Sequence, residues 1–355
     1  MRGGLSLQDS ERISAKLSTK TKDLAYSVMQ YAEGKCIDKR QPTVVHHKHT
    51  IDVFLNPKQL LKINTKYYTK MKILYEKNNI KEIDDNDNDN DNEGAFHEAL
   101  FVMLSRYNAL LGHGMQCAAS EHVFDVLNEQ IGTNFECFAS PLNCRWPMYC
   151  SAFPDTDVKF GSKGSFFDFY PTSGSYEVNP PFIESIMIGA VEHIENLLRD
   201  KESMGLSFAV IVPGWTESVA FQKLEINEYL VVKVAIAAKD HGYCSGAQHQ
   251  RKDRFLDAPF DTMLYILQNK EGVKLYGGKI VSEEGKNEFE KQIRNAFAMA
   301  IPTNAMRERR LKEGRGFGDL DGGGGVYKGK KLNKSKQKRE KLKCTSKAYE
   351  YFMSS

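Results

Sequence analysis

The chain has 355 residues, 41% of them hydrophobic and 27% charged, the make-up of an ordinary soluble protein with room for one large domain or two modest ones. No apolar run is long enough to cross a membrane, residues 1–20 lack a signal-peptide core, and the 7 scattered cysteines contain no CxxC pair. A membrane span, a disulfide scaffold, a zinc ribbon and a thioredoxin-like site are thereby set aside, and an intracellular protein with reduced thiols is expected.

The net charge of +3 hides a polarised layout: residues 82–93, EIDDNDNDNDNE, hold seven acidic side chains and no basic one, whereas 307–343 hold fourteen Lys and Arg against five Asp and Glu. Ahead of the acidic run, KDLAYSVMQYAEG spaces its apolar residues at threes and fours up to Gly34, and NPKQLLKINTKYYTKMKILYEKN repeats that style. The Asn/Asp run reads as a disordered loop. AFHEALFVMLSRYNALLGHG, closed by Gly112 and Gly114, is an amphipathic helix, so a helical domain is expected over 1–115. From 116 the style changes to an α/β domain reaching 304. VFDVLNEQIG is a helix, TNFECFASPLN a strand running into a Ser-Pro turn, and SFFDFYPTSGSYEVNPPF a strand, tight turn and strand. FIESIMIGAVEHIENLLRD is a second helix, LSFAVIVPGW, YLVVKVAIAA and TMLYILQN are strands, and KNEFEKQIRNAFAMA packs at the sheet edge. Residues 305–355 read as a disordered basic tail: an RNA-contacting arm, a nuclear address or a solvated end.

One junction carries chemistry. In YEVNPPFIES two prolines end a strand and open a helix, because proline fixes φ and removes a backbone donor. A rigid turn is the plain reading. The sharper one is that Asn179, Pro180, Pro181 and Phe182 stand at the rim of an α/β sheet, where ligands bind. An exocyclic amine on a planar base is a poor nucleophile, its lone pair being delocalised into the ring. An amide oxygen and a proline carbonyl that accept its N–H groups localise that pair and aim it at a methyl donor, with no strong base needed. The aromatic residue offers a stacking face.

FECFASPLNCRWPMYCSAFPDTDVKFGSKGSFFDFYPTSGSYEVNPPF, residues 135–182, closely resembles the phosphorylated-CTD-interacting-factor family, and FAVIVPGW and HGYCSGAQH resemble that family's next segments in order. The resemblance covers about residues 96–270. It implies a Rossmann-like, S-adenosylmethionine-dependent methyltransferase core with a helical domain, acting on N6 of the 2′-O-methyladenosine beside the cap of mRNA. Methylation of adenine in internal RNA or DNA, and a non-catalytic RNA-binding homologue, are the alternatives; the intact Asn-Pro-Pro-Phe argues against the last. Carried over by motif, Asn179, Pro180, Pro181 and Phe182 are the amine-binding and stacking set. Phe138, Ser140, Pro141, Asn143, Asp157, Phe160 and Gly161, with Asn179, face the cofactor. Arg106, Phe182, Glu184, Trp215, Glu217, Ser245, Gly246, Gln248 and His249 face the substrate. The only tryptophans, Trp146 and Trp215, lie within the catalytic region, so no WW module and no direct contact with the phosphorylated polymerase tail are expected. Gly214 stands where an acidic residue is common in the family. A nuclear, monomeric enzyme on capped mRNA is the expectation.

Other signals take plain readings. HHKH at 46–49 is a polar loop, and Cys137, Cys144 and Cys150 are buried thiols without zinc-ligand spacing. GGVYKGKK at 324–331 fails as a phosphate loop, because Lys331 stands where Ser or Thr must hold magnesium. His193 is structural. No metal is expected.

Overall fold

Val45, Ile51, Val53 and Ile63 are buried apolar positions of three antiparallel strands, β1 (Thr43–His46), β2 (Thr50–Phe54) and β3 (Leu60–Asn64). This corrects the all-helical expectation for the region. Leu61 and Ile63 pair with Val53 and Ile51, so the lysine-rich run is a strand until Thr65. HHKH is the β1–β2 turn, with His47 Nε2 3.2 Å from Asp52. The computed structural model describes residues 41–55, 60–79, 89–109, 117–246, 248–251 and 253–312, together with Thr19. The helix expected in KDLAYSVMQYAEG, residues 82–88 of the acidic run and the tail beyond 312 lie outside the described residues.

Helix α1 (Thr65–Asn78) buries Tyr68, Met71 and Leu74. Helix α2 (Asp89–Ala109) adds Phe96, Leu100, Met103 and Leu104 to the same core. Its first turns, 89–93, lie inside the stretch expected to be a loop; carboxylates suit a helix N-terminus, where the backbone dipole is positive. This core also takes in Leu142, Cys144, Tyr149 and Phe160, from beyond the boundary expected at 115. Two compact units divide after Gln41 instead, and every element named here lies in the second.

A short strand, β4 (Cys117–Ala118), leads into α3 (Glu121–Ile131), β5 (Phe135–Ala139), β6 (Tyr149–Ser151) and the single turn α4 (Pro154–Asp157). Then follow β7 (Ser173–Val178), α5 (Glu184–Arg199), the wholly buried β8 (Gly205–Pro213), α6 (Val219–Glu225) and β9 (Leu230–Ile236). SFFDFY is not the expected strand: Ser165 Oγ accepts from Phe167 N at 3.2 Å and starts a 3-10 turn over Phe166–Asp168. The chain closes with β10 (Gly242–Ser245), β11 (Phe255–Asp257), β12 (Thr262–Gln268), α7 (Lys270–Tyr276), α8 (Glu283–Ala298) and α9 (Asn304–Lys312). Helix α9 revises the expected onset of disorder at 305. Its Arg307 pairs with Asp257 at 2.6 Å and Arg309 with Asp253 at 2.9 Å, so two of the tail's cations are engaged by the folded body.

The main sheet has the order β6-β5-β7-β8-β12-β9. Strands β6, β5, β7 and β8 are parallel, and β12 runs against both its neighbours. A six-stranded sheet with one reversed strand and helices on its faces is the expected Rossmann-like methyltransferase architecture. A second sheet, β11-β10-β4, is antiparallel. No helix among the described residues is long and apolar enough to span a membrane.

Candidate active site

Strand β7 ends at Val178 and α5 begins at Glu184, so Asn179, Pro180 and Pro181 form the turn at the carboxyl end of a parallel strand, the ligand-binding edge of such sheets. Asn179 Nδ2 donates to the carbonyl of Cys117 at 2.9 Å. That bond fixes the amide's orientation and leaves Oδ1 buried without a hydrogen-bond partner among the described residues. A buried acceptor left open costs free energy, so its persistence at this turn marks a place for a donor. The Pro181 carbonyl accepts from Ile183 N at 2.6 Å; the Pro180 carbonyl takes no hydrogen bond among the described residues. The site therefore holds two open acceptors, an amide oxygen and a proline carbonyl, one residue apart.

Phe182 is placed differently from the stacking face expected of it. Its ring is 1% exposed and meets Phe260, Tyr243 and Trp215 edge-to-face at 5.4, 6.1 and 6.5 Å. The turn carries the ring into the core; of the three rings around it Tyr243 is buried, and Trp215 and Phe260 are half-buried. Glu184 is also taken: its Oε1 accepts from Val219 N at 2.7 Å and Ala220 N at 3.3 Å, satisfying the free donors that open α6. Glu217 lies exposed on the same loop as Trp215.

The residues expected at the cofactor divide into two groups. After β5, Ser140 N and Oγ both donate to Asn143 Oδ1 at 2.7 Å, a side-chain-closed turn that contains Pro141, with Lys70 of α1 donating to the Leu142 and Cys144 carbonyls from beyond. Phe138 stands half-buried at this strand end, two residues past Glu136 as Asn179 is two past Glu177, and Glu136 and Glu177 are register partners. These residues share the rim with Asn179. Asp157, Phe160 and Gly161 do not serve as expected. Tyr107 donates to Asp157 Oδ2 at 2.5 Å and Thr156 Oγ1 to its Oδ1 at 3.1 Å. Burial, opposed by these bonds, holds this carboxyl above its ordinary range. Phe160 is fully buried against Tyr75. Gly161, at φ 101°, has room for no side chain, since a Cβ would lie 2.4 Å from the Pro147 carbonyl. Arg106, expected at the cap, pairs with Asp155 at 2.6 Å. Arg106 and Asp157 thus join α2 to α4, while Phe160 and Gly161 lie against α1.

Ser245 and Gly246 end β10, whose Ser245 pairs with Cys117 in β4; β4 thus joins this segment to the Asn179 turn. Gln248 Oε1 accepts from Tyr67 at 2.9 Å. His249 is 4% exposed, and neither ring nitrogen has a partner among the described residues. Burial pushes its ring down to about 4, so it is neutral at pH 7.

Three participants escaped the sequence reading. Cys117 is recognised only through its backbone carbonyl. Glu136 and Glu177, 3% and 1% exposed, sit within strands β5 and β7 in the runs FECFA and SYEV, and a charge inside such a strand is the signal that was there to see. Glu136 Oε1 accepts from Arg145 N at 2.5 Å and Trp146 N at 3.2 Å, yet burial pushes its carboxyl up to about 7. Glu177 has no such donors, and burial, reinforced by Glu136, holds it well above the carboxylate range.

Residues 70–246 match the family model described as "Phosphorylated CTD interacting factor 1 WW domain"; this stretch runs from α1 through β10 and includes the Asn179 turn. The chain is 36% identical over 247 residues to a Mus musculus protein named "mRNA (2'-O-methyladenosine-N(6)-)-methyltransferase", covering 66% of this chain and 34% of that protein. The Homo sapiens protein of the same name is 36% identical over 242 residues, covering 65% of this chain and 33% of its own. The chain thus spans about a third of the length of these relatives. Over residues 70–246, which include the Asn-Pro-Pro turn and most of the main sheet, the chain is thus similar to the phosphorylated-CTD-interacting-factor family.

Proposed function

We propose that this chain is an S-adenosylmethionine-dependent RNA methyltransferase that modifies N6 of the adenosine next to the cap of mRNA. The observation that carries the reading is the pinned amide of Asn179: Nδ2 held by Cys117 O, Oδ1 buried and open. The Oδ1 and the Pro180 carbonyl accept the two N–H bonds of an adenine amine. This draws its lone pair out of the ring's π system and points it along one line. The turn makes both acceptors rigid before substrate arrives, so their dipoles need no reorganisation in the transition state.

The chain's rim residues suit a cationic nucleoside donor. Buried carboxyls lie at Glu136 and Glu177, a half-buried ring at Phe138 and a closed polar turn at Ser140–Asn143. Bound there, S-adenosylmethionine supplies a methyl group on a positively charged sulfur. Asn179 and Pro180 position the amine for in-line displacement, and the proton lost from nitrogen passes to water or to an acceptor at the turn. Phe182 anchors the turn in the core, and half-buried Trp215, in the same aromatic group, supplies the face on which the base stacks.

The test uses the purified chain, a methyl-labelled donor and four matched RNAs: capped with A first, capped with G first, uncapped, and capped with internal A only. Digestion to nucleosides should place label in N6-methylated adenosine of the capped A-first RNA alone. Equal labelling of internal adenosines would replace the cap-adjacent reading with a general adenine methyltransferase. No transfer to any RNA, with the donor bound, would overturn catalysis.

A further inference from the structure

Glu136 and Glu177 are Cα register partners on the adjacent parallel strands β5 and β7, and both are nearly fully buried. Side chains two residues apart on a strand share a face. Glu177 therefore lies on the face of Asn179, about 7 Å back along the strand, and Glu136 on that of Phe138. The two acids are not equivalent. Glu136 Oε1 takes two backbone N–H bonds from the loop after β5, which favour its ionised form. Glu177 Oε1 has no partner among the described residues. It lies beneath the turn that aims the amine.

We propose that Glu136 and Glu177 form one acid pair beneath the Asn179 turn that receives the positive charge of the methyl donor, and that donor binding expels the proton Glu177 holds. The inference rests on the methyltransferase reading and specifies how its donor site tells substrate from product. In the free protein two adjacent buried carboxyls do not both ionise. Glu136, bonded to Arg145 N and Trp146 N, keeps the charge, and Glu177 keeps the proton. Their charged and titratable surroundings are Lys70 from α1 and Arg145 from the loop, which act on Glu136, the Cys144 thiol and the Tyr149 hydroxyl, which also face Glu136, and the Cys137 thiol of β5; burial holds all three of these neutral. Among the described residues no cation is bonded to Glu177.

Methyl transfer requires the sulfur within a few ångströms of the amine held at Asn179, so its positive charge comes close to Glu177. A cation there lowers the acid's pKa, and the proton leaves to solvent. A donor product with a neutral sulfur would no longer favour the ionised acid, and Glu177 would take its proton back from solvent.

Titration calorimetry of the full chain at pH 7 in two buffers of different ionisation enthalpy counts the protons exchanged on binding. S-adenosylmethionine and sinefungin, whose amine takes the place of the methylated sulfur, should each release a fraction of a proton. S-adenosylhomocysteine, which keeps the amino-acid end but has a neutral sulfur, should release almost none. Affinity for the two cations should rise with pH and that for the neutral product should not. Glu177→Gln, nearly isosteric and not titratable, should abolish the release and narrow the preference for S-adenosylmethionine over S-adenosylhomocysteine by about tenfold, less than the roughly fiftyfold that two charges about 7 Å apart give at an effective dielectric near 20, because part of that attraction goes into deprotonating Glu177. Glu136→Gln keeps a carbonyl acceptor for the loop N–H groups and should also reduce the proton count. Equal release for all three ligands, or release unchanged in Glu177→Gln, overturns the acid pair while leaving the methyltransferase reading intact. Failure of the wild-type chain to bind any of the three overturns both.

Discussion

At the carboxyl ends of β5 and β7, Asn179 Oδ1 and Glu177 Oε1 are buried and open. At the joint between α2 and α4, Arg106 pairs with Asp155 and Tyr107 with Asp157. Both regions are polar, and both held residues that the sequence marks for a ligand. The joint is closed because its groups answer one another. The rim is open because the fold fixes its groups and supplies no partner. Polar residues at a sheet edge become a site through unfilled hydrogen-bonding capacity rather than through residue type, since a buried open valence has a cost that persists only where something offsets it.

The sharpest way to break this comparison is at the floor of the rim. Phe182→Ala should destabilise the chain by about 3–5 kcal/mol, read as a large fall in the denaturation midpoint, because the ring fills the core between Phe260, Tyr243 and Trp215. A normal midpoint with weak RNA binding would return Phe182 to the stacking role that its position in the motif suggests. Asn179→Ala should leave the midpoint within a few degrees and lower turnover about 100- to 1,000-fold, the usual result of removing a preorganised transition-state acceptor. Near-wild-type turnover would show that the open amide has no catalytic part.

The joint should behave in the opposite way. Tyr107→Phe removes the hydroxyl that serves the buried Asp157 carboxylate. It should cost about 1–3 kcal/mol of stability while turnover per folded molecule on a short capped RNA stays unchanged. Loss of turnover at unchanged stability would make Asp157 a cofactor group after all. Glu177→Gln sharpens the contrast through pH. The folded state holds this acid above its unfolded value of about 4.3, so the folded chain keeps a proton that the unfolded chain gives up. Wild-type stability therefore falls as pH rises from about 5 toward 8, and the variant escapes that part of the loss. Its midpoint should match wild type near pH 4 and exceed it at pH 8. Arg106→Ala is the smallest change, about 0–1 kcal/mol and screened by salt, because its partner Asp155 is exposed.

The main sheet was legible where strands are long and doubly buried. LSFAVIVP, LVVKVAI and TMLYILQ are unbroken apolar runs between turn residues, and ESIMIGAVEHIENLLR carries its apolar stripe at helical spacing. The small elements were not. Strand β4 has two residues and exists only through β10. In β3, LLKIN reads equally as helix or strand until Val53 and Ile51 arrive to pair with it. Helix α9 is mostly polar, and the partners of its ion pairs, Asp257 and Asp253, lie 50 and 56 residues away in the chain.

What the sequence determined by itself at the site is Asn-Pro-Pro: two prolines cannot continue a strand, so Asn179 had to stand at a strand end before a helix, whatever surrounded it. Tertiary structure decided what each side chain there is free to do. The amide is oriented by a carbonyl 62 residues earlier in the chain. Glu184 is drawn off to the start of α6, 35 residues ahead. Phe182 turns inward because three rings from other elements make a cavity of its shape. Glu136 and Glu177 become a pair only when β5 and β7 align in register. Local propensity fixes where the backbone turns, but hydrogen bonds and rings are satisfied by whatever the fold brings near, and those partners are distant in the chain.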